Sequence, residues 1–541
     1  MNFMAGMCRK INIDKIFNES LQSQNGRRPD ISYGTQALMT IVNIVDDKVP
    51  LYRMKEYYSD YIDLDGIFKE EIDISQINDD RFGNFLDKFY EANPREIFSK
   101  ISAYAFATYG IEVKNINYDT TSKVMWSEYD GYDGKHGEIS ITFGHSKNKR
   151  NDKKQIKIGA GVAEGLIVDA KVLSGNTDDK SYNFDNLDGV EEVLDTIKVS
   201  KESFYYIADS AAFTENTIKK ANDMKIKMIT KVPDRLIVTK ELKNAVFKEL
   251  ETFDKINFIN AQNKEVEYLI KETTFDYNGV LCKGALCYSY ALESTKRKSI
   301  LKKVEAERKL LNKTIKKYSK LTFETEGQAI KLIEELKKGE LKKIKFNNLS
   351  YQIIQNVKNK PGRQKKDISI EETIKEYGIK INFIELENTV EEYITKSCIF
   401  ILASTDLEIS AEQLLKEYKT QSCVEKKFQQ FKSSEFVDAL FLKTPQRVEA
   451  LTYMMLISMM VLSVIEYVTR REMKKENITI LGPGDIKMKN PSLNAILIIM
   501  KTVPIMVIGI GNNKERRLIQ SLKDNQKCVL RCLNLSEIIY I

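Results

Sequence analysis

The chain has 541 residues, 42% of them hydrophobic, enough for about two to four domains with filled cores and no general disorder. Lysine and arginine number 84 against 77 aspartates and glutamates, and the resulting net charge of +7 permits a nucleic-acid partner without demanding one. Seven scattered cysteines and only two histidines argue against a disulfide framework and a zinc site, which leaves hard oxygen ligands for any metal and fits a reducing cytoplasm.

Residues 1–30 carry Arg9, Lys10, Arg27 and Arg28 with little periodicity and read as an entry segment that orders on a partner; they hold no apolar run of signal-peptide length. From about 34 to 109 the pattern is helical, with Asn78 or Asp79 as a cap and Pro94 opening the last helix, a module of the size used to bind DNA. At 113–120 alternation takes over, and VKNINYDT reads as a short strand ending in Asp119, followed by Thr120 and Thr121. A polar excursion over 123–154 contains Trp126, His136 and His145, all read as surface or pocket residues rather than as chemistry. IKIGAGVAEGLIVDAKVLSGNTDD then reads as two strands. A helix over about 183–197 follows, then the strand SFYYIAD ending in Asp209, a helix to about 224 and a strand at 226–232. Three strands, helix, strand, helix, strand is the order of an RNase H-like α/β fold, a mixed sheet with helices on both faces. Either aspartate alone is an ordinary turn or cap residue. Together, at the ends of strands that can lie adjacent, they occupy the place where open α/β sheets bind ligands.

Residues 235–396 interrupt this fold with apparent strands and a charged helix over about 293–318. Their basic loop KNKPGRQKKD, 358–367, holds Arg363 and is a phosphate candidate, because its positive charge is unrelieved until Asp367. The buried strand SCIFILAST, 397–405, resumes the core, and LLKEYKTQSCVEKKFQQFKSSEF, 414–436, reads as one amphipathic helix. On a continuous helix Tyr418, Gln421, Glu425 and Lys432 fall within an arc of about 60°, beside an apolar face of Val424, Phe428 and Phe431. Lys443 and Arg447 are candidate phosphate contacts just beyond it. The apolar run at 450–465 is shorter than the roughly 20 residues a membrane span needs and reads as a buried helix started by Thr444 and Pro445, so no membrane partner is expected.

Asp119, Asp209 and Glu425 thus offer three carboxylates from two strand ends and one helix stripe. Phosphodiester chemistry uses such a set, because two Mg²⁺ ions on oxygen ligands activate the attacking hydroxyl and stabilise the leaving oxygen. At this point the chain resembles bacterial insertion-sequence transposases of the Asp-Asp-Glu class, those with a strand-rich insertion before the glutamate and a Tyr-x2-Arg-x3-Glu-x6-Lys signature. The resemblance is carried by YDTTS around Asp119, GHSKNKRNDKKQIKIGAGV, LSGNTDD, IADSAAFTENT around Asp209, FILASTD, YKTQSCVEKKFQQFK and FLKTPQRVEALTYMMLISMMVLSVIEY, and it extends to about residue 510. Gln421 stands where the broader group has arginine, which makes its contact neutral and weaker. Nearer relatives have the form YKxQxxVE, so the departure is not read as inactivation.

The resemblance implies a metal-dependent enzyme that cleaves the terminal inverted repeats of an insertion sequence and joins the freed 3′-hydroxyls to target double-stranded DNA, as a homodimer or larger synapse in the cytoplasm. Asp119 would bridge two Mg²⁺ ions, for which Mn²⁺ can substitute, with Asp209 and Glu425 holding one each. Tyr418 and Lys432 would fix phosphates, with Gln421 and Thr120 assisting. The expected division is a helical DNA-end-binding domain at 1–110, the core at 111–234, a strand-rich insertion at 235–396, the rest of the core with the Glu425 helix at 397–470, and a C-terminal helical region at 471–541. Two other readings stay open: an RNase H-like endonuclease without strand transfer, and a non-cleaving DNA-binding protein derived from such a transposase.

Overall fold

The computed structural model describes the chain except residues 23–28, 62, 127–128, 130–137, 148, 260–264, 360–372, 433–441, 443, 483, 485, 502 and 510–513. Its organising sheet starts with a meander of three antiparallel strands, β1 (Asn115–Val124), β2 (Gln155–Ala163) and β3 (Leu166–Ser174). The helix Asp179–Ile197 leads to β4 (Tyr205–Ala208), and the helix Glu215–Asp223 leads to β5 (Lys227–Lys231); β4 runs parallel to β1 and β5 parallel to β4. The resulting order, β3-β2-β1-β4-β5, is the RNase H-like arrangement that the order of elements predicts. β2 is buried along its whole length, as a strand covered on both faces must be, and two of its glycines make room for rings. A Cβ at Gly159 would run into Tyr182, and one at Gly161 into Tyr118.

The segment after β5 divides in two. β6 (Asp254–Ile259), β7 (Glu265–Tyr277) and β8 (Val280–Ser289) form an antiparallel ribbon that belongs to the same sheet. The helices Tyr290–Tyr318 and Glu326–Lys338 instead cover a separate small sheet of β9 (Thr322–Phe323), β10 (Asn347–Asn359) and β11 (Thr373–Glu385), with a core of Leu311, Ile333, Leu336, Ile379 and Ile381. β12 (Ile399–Ser404) returns between β5 and β8 and pairs antiparallel with both. Part of the expected insertion therefore widens the central sheet to nine strands, and only the remainder stands off it.

The start of the entry segment is helical, while Arg27 and Arg28 lie outside the described residues. This start forms the helices Asn2–Lys10 and Ile13–Leu21, which bury Phe3, Met4, Met7, Cys8, Ile11, Ile13 and Phe17. These helices and the rest of the N-terminal module share one apolar core with the sheet and with the helix Pro445–Lys475, which packs against β3 and against the helices Tyr33–Val45, Asp79–Glu91 and Pro94–Tyr109. The C-terminal segment closes on the same module: Tyr109 donates its hydroxyl to the carbonyl of Leu533, and Arg516 pairs with Asp63 at 2.9 Å. The helix Pro445–Lys475 opens with Thr444 and Pro445 in the cap and first-turn places, but at 31 residues it is far longer than the apolar run suggests. By length and apolarity it would suffice to cross a membrane, yet 94% of its most apolar window is buried inside the protein.

Candidate active site

Strand register brings the two aspartates together. The parallel ladder of β1 and β4 ends with Tyr118 opposite Ala208, so the next residue on each strand is Asp119 and Asp209. Neighbouring strands lie about 4.8 Å apart, and side chains alternate faces with period two. Asp119 therefore shares a face with Asn117, and Asp209 with Ile207, which pair across the ladder. Ile207 packs against Leu414 and Leu415, so this face is the one covered by the helix Ala411–Lys419. Asp119 is not at the end of its strand, because β1 continues to Val124 against β2; what ends there is the pairing with β4, which leaves both carboxylates at an open notch.

Two adjacent carboxylates repel unless something positive lies between them. Burial and the neighbouring Asp119 push the Asp209 carboxyl above its ordinary range, against the pull of the Ala211 amide and Lys147. Asp209 Oδ1 accepts that amide at 2.9 Å. Lys147 supplies the cation: its ammonium donates to Asp119 Oδ1 at 2.9 Å and to the carbonyl of Thr120 at 2.6 Å, and lies 3.4 Å from Asp179 Oδ2. Burial works against the Lys147 charge, but Asp119, Asp179 and Asp209 outweigh it and hold its pKa above the usual lysine value. Asp179 opens the helix that follows β3 and also takes the Thr120 hydroxyl at 2.6 Å and the buried Lys157 ammonium at 3.1 Å. Its own burial is outweighed by Thr120, Lys147 and Lys157, so its carboxyl titrates below the ordinary range.

The helix side differs from the single stripe expected. The chain forms two helices, Ala411–Lys419 and Ser422–Lys432, separated at Thr420 and Gln421. Across this break the backbone amides of Thr420, Gln421, Cys423 and Val424 reach back three residues instead of four, a tightened 3₁₀-like turn. Thr420 fixes it, with Oγ1 lying 2.9 Å from Asn117 Oδ1 and 2.7 Å from the carbonyl of Glu417. Asn115 anchors the same turn by donating to Glu417 Oε2 at 2.5 Å. The tighter winding turns Gln421 inward: it is 8% exposed and its amide donates to the carbonyl of Tyr118 at 3.1 Å. Gln421 thus clamps the helix pair to β1 through its amide. Tyr418 packs against the cluster of Ile207, Leu414 and Leu415, and burial first and then the charges of Asp209, Glu425 and Asp119 drive its phenol above the ordinary tyrosine range. Glu425 is exposed on the helix Ser422–Lys432, which packs on β1 and β2.

The other candidates separate clearly. The Thr120 hydroxyl is buried and committed to Asp179, so the expected DNA contact is replaced by an internal one. Arg447 forms a two-pronged pair with Asp87 at 2.8 and 2.7 Å, tying the long helix to the N-terminal module, and so does not stand free for a phosphate. Arg363 and Lys443 lie outside the described residues, as does the side chain of Lys432 at the end of its helix. Trp126 plugs no pocket: it is 62% exposed, with Arg150 and Lys153 over its ring. Lys147 and Asp179 carried no role in the sequence, although the stretches GHSK and LSGNTDD that hold them were part of the resemblance.

Among the described residues no three His, Cys, Asp or Glu side chains converge closely enough to hold a metal ion unaided. Asp119 and Asp209 nevertheless suit a hard divalent cation: both offer carboxylate oxygens, and a side-chain ammonium already seats on Asp119 as a stand-in cation. Glu425 lies on the helix Ser422–Lys432, which packs against the same strand β1.

A family model described as a domain of unknown function, DUF4277, matches residues 1–103. No curated protein sequence matches the chain. A solved structure titled "Cryo-EM structure of piggyBac transposase synaptic complex with hairpin DNA (SNHP)" matches with 10% identity and a TM-score of 0.35, covering 86% of this chain and 75% of that one.

Proposed function

We propose that the chain is the transposase of an insertion sequence: it binds the element's terminal inverted repeats, cleaves the ends by metal-dependent hydrolysis and joins the 3′-hydroxyls to target DNA. The observation that supports this best is the placing of Asp119 and Asp209 side by side, one step beyond the last β1–β4 pair, on the sheet face overlaid by the helices of Tyr418 and Glu425. Mg²⁺ or Mn²⁺ on these carboxylates would supply the Lewis acidity that activates the attacking oxygen and stabilises the leaving one.

The residues of the chain divide the remaining work. Asp119 and Asp209 present fixed negative charge at the notch, and Glu425 brings the third carboxylate when its helix closes over bound DNA. Tyr418, kept protonated by burial and by three nearby carboxylates, presents an O–H to a phosphate oxygen. Gln421 and Thr420 hold the helix break, and with it the helices that carry Tyr418 and Glu425, against β1. Lys432, the last residue of the Glu425 helix, is the remaining phosphate contact that the resemblance implies. The working unit is a homodimer with each end in one site.

The test is incubation of the purified chain with a duplex carrying the element's terminal repeat and Mg²⁺ or Mn²⁺, beside Asp119→Ala, Asp209→Ala and Glu425→Ala. The expected result is metal-dependent cleavage at the repeat boundary and joining to a second duplex, both lost in all three variants. Cleavage undiminished in the variants removes the site. Cleavage without joining identifies a plain endonuclease instead.

A further inference from the structure

The proposed reaction does not require Lys147, yet the packing around the notch places its ammonium on Asp119. The Lys147 backbone amide is held by the Ser122 hydroxyl at 3.3 Å. The preceding turn is pressed against the loop after β3 so closely that a Cβ at Gly144 would strike the carbonyl of Gly175, and one at Gly175 would strike the carbonyl of Gln155. Gln155 stitches the two loops together, its amide donating to the carbonyls of Gly175 at 2.7 Å and His145 at 3.3 Å. Asp179, at the end of the second loop, adds charge that keeps the ammonium over Asp119. The arrangement delivers a positive charge to the carboxylate that a divalent ion would need.

We propose that Lys147 is a displaceable counter-ion: its ammonium steadies the Asp119–Asp209 pair in the metal-free protein, is displaced from Asp119 when a divalent cation binds, and then meets a DNA phosphate. The inference rests on the carboxylate-site reading above. A divalent ion on Asp119 and the Lys147 ammonium on its Oδ1 repel one another, so ion binding and the Lys147–Asp119 contact compete. Lys147 remains tethered near the site by Ser122, and a flexible four-carbon stem lets its ammonium turn toward whatever negative group lies over the notch. It is a positioning residue with two partners, and it sets how readily the empty site loads.

The experiment uses the full chain and Mn²⁺ alone as probe, titrated calorimetrically into wild type, Lys147→Met and Lys147→Arg, with Asp119→Asn as the control that removes the seat. Lys147→Met is expected to bind Mn²⁺ roughly tenfold more tightly than wild type and to show a larger Mn²⁺-induced rise in Tm, while Lys147→Arg stays close to wild type. A side chain with only a structural role would leave Mn²⁺ affinity unchanged or weaken it when truncated, and either result in a wild type that does bind Mn²⁺ overturns the inference alone. No Mn²⁺ binding in any of the proteins overturns the carboxylate-site reading and this inference with it. The phosphate half is read from the salt dependence of binding to a short duplex of arbitrary sequence: Lys147→Met should lower the slope by about one in Ca²⁺ and leave it unchanged in EDTA. An equal change in both conditions, or in neither, overturns that half.

Discussion

The two halves of the site are built on different principles. On the strand side, Asp119 and Asp209 follow directly on the last β1–β4 pair, and a lysine that also contacts Asp179 seats on Asp119. On the helix side, Tyr418 and Glu425 sit on either side of a short tightened turn held by Thr420 and Gln421, and Glu425 is open to solvent. Held by a few side-chain hydrogen bonds, such a turn opens far more easily than a sheet does. The strand half is therefore prepared in advance, whereas under the proposed function the helix half would be completed by bound DNA. That division explains how three candidate carboxylates occupy one face without three of them converging in the free chain.

The sharpest way to break this comparison is to remove one carboxylate from each half. Asp119→Ala and Glu425→Ala are both expected to lower end cleavage by about a thousandfold or more. They should differ in stability. Asp119→Ala takes a partner from the Lys147 ammonium and costs about 1 kcal/mol, while Glu425→Ala, which removes no such partner, stays within about 0.5 kcal/mol. Chemical denaturation of both variants checks this, and equal destabilisation would mean that Glu425 is as firmly built in as Asp119.

Next in size are changes at the turn. Gln421→Ala leaves the Tyr118 carbonyl without its side-chain donor in a buried place, and is expected to cost about 1–3 kcal/mol while leaving the salt dependence of DNA binding unchanged. A shallower salt dependence would return Gln421 to the phosphate contacts. Thr420→Val keeps the shape but removes the hydroxyl shared by Asn117 and Glu417, and should cost about 1 kcal/mol. If cleavage falls with it while Mn²⁺ affinity is kept, the turn aims the helix half without contributing to the strand half.

What was legible in the sequence follows the same division. Alternation of apolar residues and the punctuation around Asp119 and Asp209 gave the order of strands and helices, and hence the RNase H-like sheet, because these are local patterns. The break at Thr420 was not legible. Neither Thr420 nor Gln421 is a helix breaker, and partners of the turn come from Asn115, Asn117 and Tyr118, about three hundred residues away in sequence. Arg447 misled for a similar reason, since a long-range partner, Asp87, takes its guanidinium. β6, β7 and β8 alternate as any ribbon does, so the pattern could not show that they join the central sheet through β12. Lys147 lies in a lysine-rich polar stretch where one ammonium reads like the next, and only the packing of Gly144 on Gly175 singles it out.

The smallest predicted effect tests the strand half from within. Burial and Asp119 raise the Asp209 pKa above the unfolded value of about 3.9, so folding favours its protonated form. The stability this provides is fully present below the unfolded pKa and is lost as pH rises through the raised folded value; at neutral pH the ionised Asp209 is a net burden on the fold. Asp209→Asn, in EDTA, should therefore melt higher than wild type by about 1 °C at pH 7 and no higher at about pH 3. Adding Lys147→Met removes the cation that opposes this repulsion, so the advantage of asparagine at pH 7 should grow in the double variant. If the two substitutions are strictly additive instead, Lys147 does not hold the pair together, and the prepared strand half owes its geometry to register alone.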